Sequence, residues 1–228
     1  MKPHQFFWMV GKGIILFTLC VIPPVFAKDP PDPQRWQKDM QQFQEQDQQA
    51  MPPTHSVLFV GSSSIRLWDL KTSFPDKPYI NRGFGGSHLL DSVYHMDQIV
   101  IPYRPRLIFL YAGDNDIAYG LTPQQVLDHF RLFAGRVHQS LPDTKIVYVS
   151  IKTSLNRWGV HEAMRATNQL IKNYCDTIDF LDFFDADTPL LDSEGKPDPI
   201  YFMEDQLHLN KKGYAIWAEA IQPFLVGF

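Results

Sequence analysis

Cysteine is scarce. The chain of 228 residues carries two, Cys20 and Cys175, too few for a disulfide framework. No stripe of basic residues occurs, and 21 Lys and Arg stand against 25 Asp and Glu, a formal net charge of -4 at pH 7. Such a balance offers a polyanion no electrostatic footprint, so no nucleic-acid partner is expected. No glycine run has the G-x-G-x-x-G spacing, which argues against a dinucleotide cofactor, and the absence of G-x-S-x-G argues against the serine turn of the α/β-hydrolase scaffold. His55, His95, His129, His138 and His161 lack metal-ligand spacing. The acidic group Asp185, Asp187, Asp192 and Glu194 fits no calcium loop and reads as solvated. A comfortable membrane span needs about 20 apolar residues, and the apolar run Gly13–Ile22 falls short of that.

What is present reads as one globular domain behind a leader. Hydrophobic residues make up 44% and charged residues 20%, ordinary values for a single packed core. Lys2 and Lys12 border the apolar run, Val25-Phe26-Ala27 closes it, and no acidic residue precedes Asp29. This is the pattern of a secretory signal over residues 1–27. Export to the periplasm or beyond is the expected localisation, with no stable membrane span after cleavage; an uncleaved leader would make the protein membrane-anchored. With cleavage after Ala27, Cys20 is lost, and Cys175 would be a lone thiol, read as a buried apolar filler. Residues 28–53 read as a Pro-rich linker and a Gln-rich helix pinned by Trp36, Met40 and Phe43, and residues 54–228 as the main domain.

That domain alternates strands with helices. Apolar, β-branched runs at 56–61, 79–82, 107–113, 145–151 and 178–182 predict five strands. Helical patterns lie near 87–98, 122–140, 160–175 and 211–225. Runs without strict alternation suit strands buried on both faces, and the βα order implies a parallel sheet covered by helices on both sides. In such sheets the site lies beyond the carboxyl ends of the strands.

Four segments there carry chemistry. Gly61-Ser62-Ser63-Ser64 places serine directly after a buried strand, at a helix start. Asn81-Arg82-Gly83-Phe84-Gly85-Gly86-Ser87 permits tight turns with exposed N–H groups. Gly113-Asp114-Asn115-Asp116 offers a side-chain amide to the same crevice, or caps a loop. Asp205-Gln206-Leu207-His208 spaces a carboxylate and an imidazole for a local hydrogen bond that would fix the tautomer.

Together these blocks resemble the SGNH hydrolases, the GDSL lipases and esterases, from about Ser56 to the C-terminus. The resemblance implies a flavodoxin-like three-layer α/β/α sandwich with a five-stranded parallel sheet. It implies a serine ester hydrolase working through an acyl-enzyme, with Ser63 as nucleophile and Asp205 and His208 completing a triad. The oxyanion hole would be the N–H groups of Ser63 and Gly86 and the amide of Asn115. No metal or organic cofactor is implied. One departure stands out: Ser62 occupies the place of the Asp in the usual G-D-S-[LI] block, and Ser62 and Ser64 remain alternative nucleophiles. His88, Asn156 and Arg157 are candidate substrate contacts. The expected partner is a small-molecule or carbohydrate ester with a short acyl group; no oligomeric state is assigned. A catalytically silent acyl-glycan-binding domain and an O-acyltransferase on the same fold are the alternatives.

Overall fold

The computed structural model describes residues 31–228, so the leader expected at 1–27 lies outside the described residues. Five strands, β1 (Val57–Gly61), β2 (Ile80–Gly83), β3 (Leu107–Tyr111), β4 (Lys145–Val149) and β5 (Leu181–Phe184), form one parallel sheet in the order β2-β1-β3-β4-β5. The helices are α1 (Gln37–Gln49), α2 (Ser63–Arg66), α3 (Leu70–Ser73), α4 (Leu89–Tyr94), α5 (Met96–Ile99), α6 (Asp114–Tyr119), α7 (Pro123–Ser140), α8 (His161–Cys175) and α9 (Lys211–Ala220).

The apolar runs lack alternation because both faces of the sheet are buried. Successive side chains point to opposite faces, so each strand divides between two cores. Leu58, Val60, Ile108, Leu110, Ile146 and Tyr148 join the core beneath α1, α4, α5, α7 and α8. Val57, Phe59, Phe109, Tyr111, Val147 and Val149 join the core beneath α2, α3 and α9, where Trp68 and Trp217 lie. Three layers result: helices, sheet, helices.

Local sequence sets the helix ends. Thr122 caps α7 by accepting from Gln125 N, the Gln125 side chain accepts from Thr122 N in return, and Pro123 opens the first turn. Val126, Phe130, Phe133 and Val137 form its buried stripe. In α8, Met164, Thr167, Ile171 and Cys175 do the same; burial pushes the Cys175 thiol up to about 12, which makes it unreactive.

Some boundaries differ from those expected. The segment 87–98 is two short helices that meet at His95, whose Nε2 lies 2.9 Å from the Pro33 carbonyl oxygen. The last helix ends at Ala220 and continues as a 3-10 turn, Gln222–Leu225; Pro223 removes an N–H and disfavours the α conformation at Gln222. The fifth strand begins at Leu181 because Ile178 to Phe180 are spent on the turn out of α8, where Leu181 N donates to Ile178 O at 3.0 Å.

Ahead of the sandwich, a 3-10 turn Pro33–Trp36 leads into α1. Met40 is buried, Trp36 meets Phe84 edge-on at 5.8 Å, and the Arg82 guanidinium lies 5.0 Å from the Phe43 ring centroid. Asp47 of α1 accepts from both Arg82 on β2 and the Tyr103 hydroxyl.

Candidate active site

The first segment of the site depends on close backbone contact. Gly61 ends β1 at φ +137°, and a Cβ there would stand 1.8 Å from the Tyr111 carbonyl oxygen. A Cβ on Gly83 would stand 2.2 Å from Arg66 N. These two glycines let the β1–α2 turn press against β3 and β2. Ser62 then caps α2, with its N–H on Tyr111 O at 2.9 Å, and Ser63 is the first residue of the helix. The Ser62 hydroxyl lies 3.4 Å from Asp114 Oδ1.

The histidine arrives from the other end of the chain. Asp205 Oδ1 accepts from Leu207 N and His208 N, both at 2.9 Å, and this turn brings Asp205 Oδ2 within 2.6 Å of His208 Nδ1. Gln206 inside it takes a left-handed backbone, φ +54°. His208 Nε2 stands 2.9 Å from Ser63 Oγ, across 145 residues of sequence. Asn210 anchors the segment: its Oδ1 caps α9 through Lys212 N and Gly213 N, and its Nδ2 donates to Ile200 O and Phe202 O. Burial raises the Asp205 carboxyl, but hydrogen bonds from the His208 ring and the N–H groups of His208 and Leu207 outweigh it and pull the pKa down to about 2. The carboxylate is thus available to hold a proton on Nδ1 and leave Nε2 as the acceptor facing Ser63.

The other expected residues lie in the segments that follow β2, β3 and β4. Gly86 lies exposed at φ +76°, with the Trp36 ring 3.5 Å from the position of a Cβ. Asn115, in α6, donates from Nδ2 to Ser87 O at 3.0 Å and accepts at Oδ1 from Arg157 Nη2 at 2.7 Å. Arg157 Nη1 donates to Asp114 Oδ2 at 2.9 Å. Asn156 N donates to Gln206 O at 3.1 Å and its Nδ2 to Asp205 O at 3.2 Å, so it fastens the loop after β4 to the histidine turn. His88 is buried at the start of α4, with its ring edge-on to Tyr119 at 5.1 Å.

Three charged residues bear on the site without a signal in the sequence blocks. Asp114 occupies the variable place of the third block, yet it is 4% exposed and binds Arg157. Lys152 is buried over the Tyr111 and Phe202 rings, at 5.7 and 5.9 Å, and burial brings its pKa down to about 8 against the pull of Asp114, Asp187 and Asp205. Asp187 was expected in a solvated acidic loop; it is buried instead and accepts from Thr153 N and Oγ1 at 2.5 and 2.8 Å. Its place just beyond β5 was the available signal. Among the described residues no group of three His, Cys, Asp or Glu is arranged to hold a metal, and no helix is long and apolar enough to cross a membrane.

Solved structures share this architecture. A Streptococcus pneumonia protein named for platelet activating factor superposes with a TM-score of 0.74 at 22% identity, covering 83% of this chain and 92% of that one. A GDSL-like lipase from Bacteroides thetaiotaomicron gives 0.71 at 18% identity over 82% and 97%. A catalytic mutant of an acetylxylan esterase from Geobacillus stearothermophilus gives 0.61 at 14% identity over 77% and 96%. At these identities the likeness is one of fold. No curated protein matches the sequence significantly. The pattern of the GDSL-like Lipase/Acylhydrolase family, however, matches residues 66–216, roughly two thirds of the chain and starting just past Ser63. With that match and the parallel five-stranded sandwich, the chain belongs to the GDSL-like lipase/acylhydrolase family and is an esterase of the SGNH type.

Proposed function

We propose that the protein hydrolyses esters of short acyl groups through an acyl-enzyme on Ser63. The observation that carries this reading is the line Asp205 Oδ2–His208 Nδ1–His208 Nε2–Ser63 Oγ, with gaps of 2.6 and 2.9 Å. It also favours Ser63 over Ser62 and Ser64, because neither neighbour's hydroxyl is paired with His208. Neutral His208 takes the Ser63 proton as Oγ attacks the ester carbonyl, and Asp205 stabilises the imidazolium. The carbonyl oxygen becomes an oxyanion, met by the N–H groups of Ser63 and Gly86 and the Nδ2 amide of Asn115. His208 then gives its proton to the departing alcohol, and a water molecule, activated in the same way, releases the acid.

Beside the Ser63–His208 pair, Asp114 lies 3.4 Å from the Ser62 hydroxyl and binds Arg157, which binds Asn115; this polar setting suits a small acyl group better than a long chain. A carbohydrate ester is a reasonable alcohol moiety, in line with the acetylxylan esterase of similar fold. The leader read over residues 1–27 supports action outside the cytoplasm.

The test is turnover of p-nitrophenyl acetate by residues 28–228, beside Ser63→Ala and His208→Ala. Loss of roughly 10⁴-fold or more in kcat from either substitution is expected. Three equal rates would overturn the assignment, and faster turnover of long-chain esters than of acetate would overturn the acyl preference.

A further inference from the structure

We infer that Arg157 is a positioning residue that locks the Asn115 amide in the orientation needed to meet an oxyanion, with Asp114 holding Arg157 in place. The inference rests on the proposed role of Asn115 and adds what makes that role possible. An Asn amide has one acceptor end and one donor end of nearly the same shape. Turned one way it gives the crevice an N–H; turned the other way it gives a carbonyl oxygen, which repels a developing negative charge. Nothing in α6 itself selects between them.

Arg157 does. Its Nη2 donates to Asn115 Oδ1 at 2.7 Å, so the acceptor end is taken by a cation, and the donor end is left with Ser87 O at 3.0 Å and one further N–H for the crevice. Rotating the amide by half a turn would set an NH₂ group against the guanidinium and a carbonyl oxygen against Ser87 O, losing both bonds for two repulsive contacts. Arg157 is held by its second nitrogen, Nη1, on Asp114 Oδ2 at 2.9 Å, and the Arg157 and Asp114 side chains are 18% and 4% exposed. The backbone N–H of Arg157 is also tied, to Ser154 O at 3.2 Å. A planar fork with two donors on two acceptors sets direction as well as distance, which a lysine ammonium cannot reproduce. The guanidinium is therefore committed to the protein, one step removed from the substrate.

The experiment is a double-mutant cycle on p-nitrophenyl acetate with Asn115→Ala, Arg157→Ala and the pair, with Arg157→Lys, Ser63→Ala and thermal melts alongside. An oxyanion donor acts in the transition state, so Arg157→Ala is expected to lower kcat by about 10- to 100-fold with KM within about twofold. The double variant should be no slower than Asn115→Ala alone, since a latch has nothing to hold once the amide is gone. Arg157→Lys should recover little of the loss. A raised KM with unchanged kcat, or the full Arg157 effect persisting in the Asn115→Ala background, would overturn the inference in favour of a direct substrate contact. If Arg157→Ala does not fold, Arg157→Lys decides: parental kcat in a folded Lys variant overturns the latch. Activity surviving in Ser63→Ala brings down the proposed function and the latch with it, whereas additivity beside an inactive Ser63→Ala brings down the latch alone.

Discussion

Lys152 stands where a lysine is costly. Its pKa drops from an ordinary 10.5 to about 8 because burial penalises the charged form more than the nearby carboxylates favour it. The unfolded chain therefore binds more protons than the folded one between about pH 8 and 10.5, and stability rises with pH through that window. Below it the full penalty applies. Lys152→Met keeps the apolar stem between Tyr111 and Phe202 and removes the charge. It is expected to raise the melting temperature at pH 7 by about 5 °C, with the gain shrinking toward pH 10. Thermal unfolding at both pH values checks this, and a lower melting temperature at pH 7 would mean that the ammonium has a buried acceptor worth more than its desolvation. The left-handed Gln206 is a second local cost accepted beside the site, at φ +54° in the turn that presents His208.

Among the elements, α1 is joined to the sandwich by charge as well as by packing. Arg82 on β2 is 5% exposed, and Asp47 is its ionic partner. Asp47→Ala leaves a buried guanidinium with only neutral partners, the Tyr103 hydroxyl at 2.7 Å and the Asn81 carbonyl oxygen at 2.9 Å, and is expected to cost about 3–5 kcal/mol in urea unfolding. A loss under about 1 kcal/mol would show that water reaches Arg82. Legibility differed between elements for physical reasons. The runs of β1, β3 and β4 were readable because both faces of each strand are buried, so nothing interrupts their apolar character. The start of β5 was misplaced because the turn out of α8 uses the same kinds of residue, Ile178 and Phe180, as the strand that follows. Helix α6 was not read, since Gly113-Asp114-Asn115-Asp116 has the composition of a loop; Gly113 at φ +118° turns the chain and the two acids suit the first turn. The segments bearing Ser63, Gly86, Asn115 and His208 stood out because each lies just past a strand or just before the last helix. The bond from Arg157 to Asn115 did not, because it joins α6 to a loop 42 residues further on and depends on the order of β3 and β4 in the sheet.

At the scale of the whole molecule, the two cores share every central strand. Removing helices from one face would expose the apolar side of strands whose other side is still packed, so neither core holds without the other. Trp36 reports on the first core, and Trp68 and Trp217 on the second. Far-UV circular dichroism and tryptophan fluorescence of residues 28–228 are accordingly expected to trace one coincident transition in urea; separated midpoints would show that the layers melt independently. The same assembly has a consequence in time. Ser63 leaves the ribosome 145 residues ahead of His208, the base proposed for it, and a serine hydroxyl without its base is a weak nucleophile. On that proposal a nascent chain that has released only the first strands carries a silent serine. Ester cleavage then waits for the two distant segments to fold together, so the order of synthesis itself keeps the unfinished chain inert.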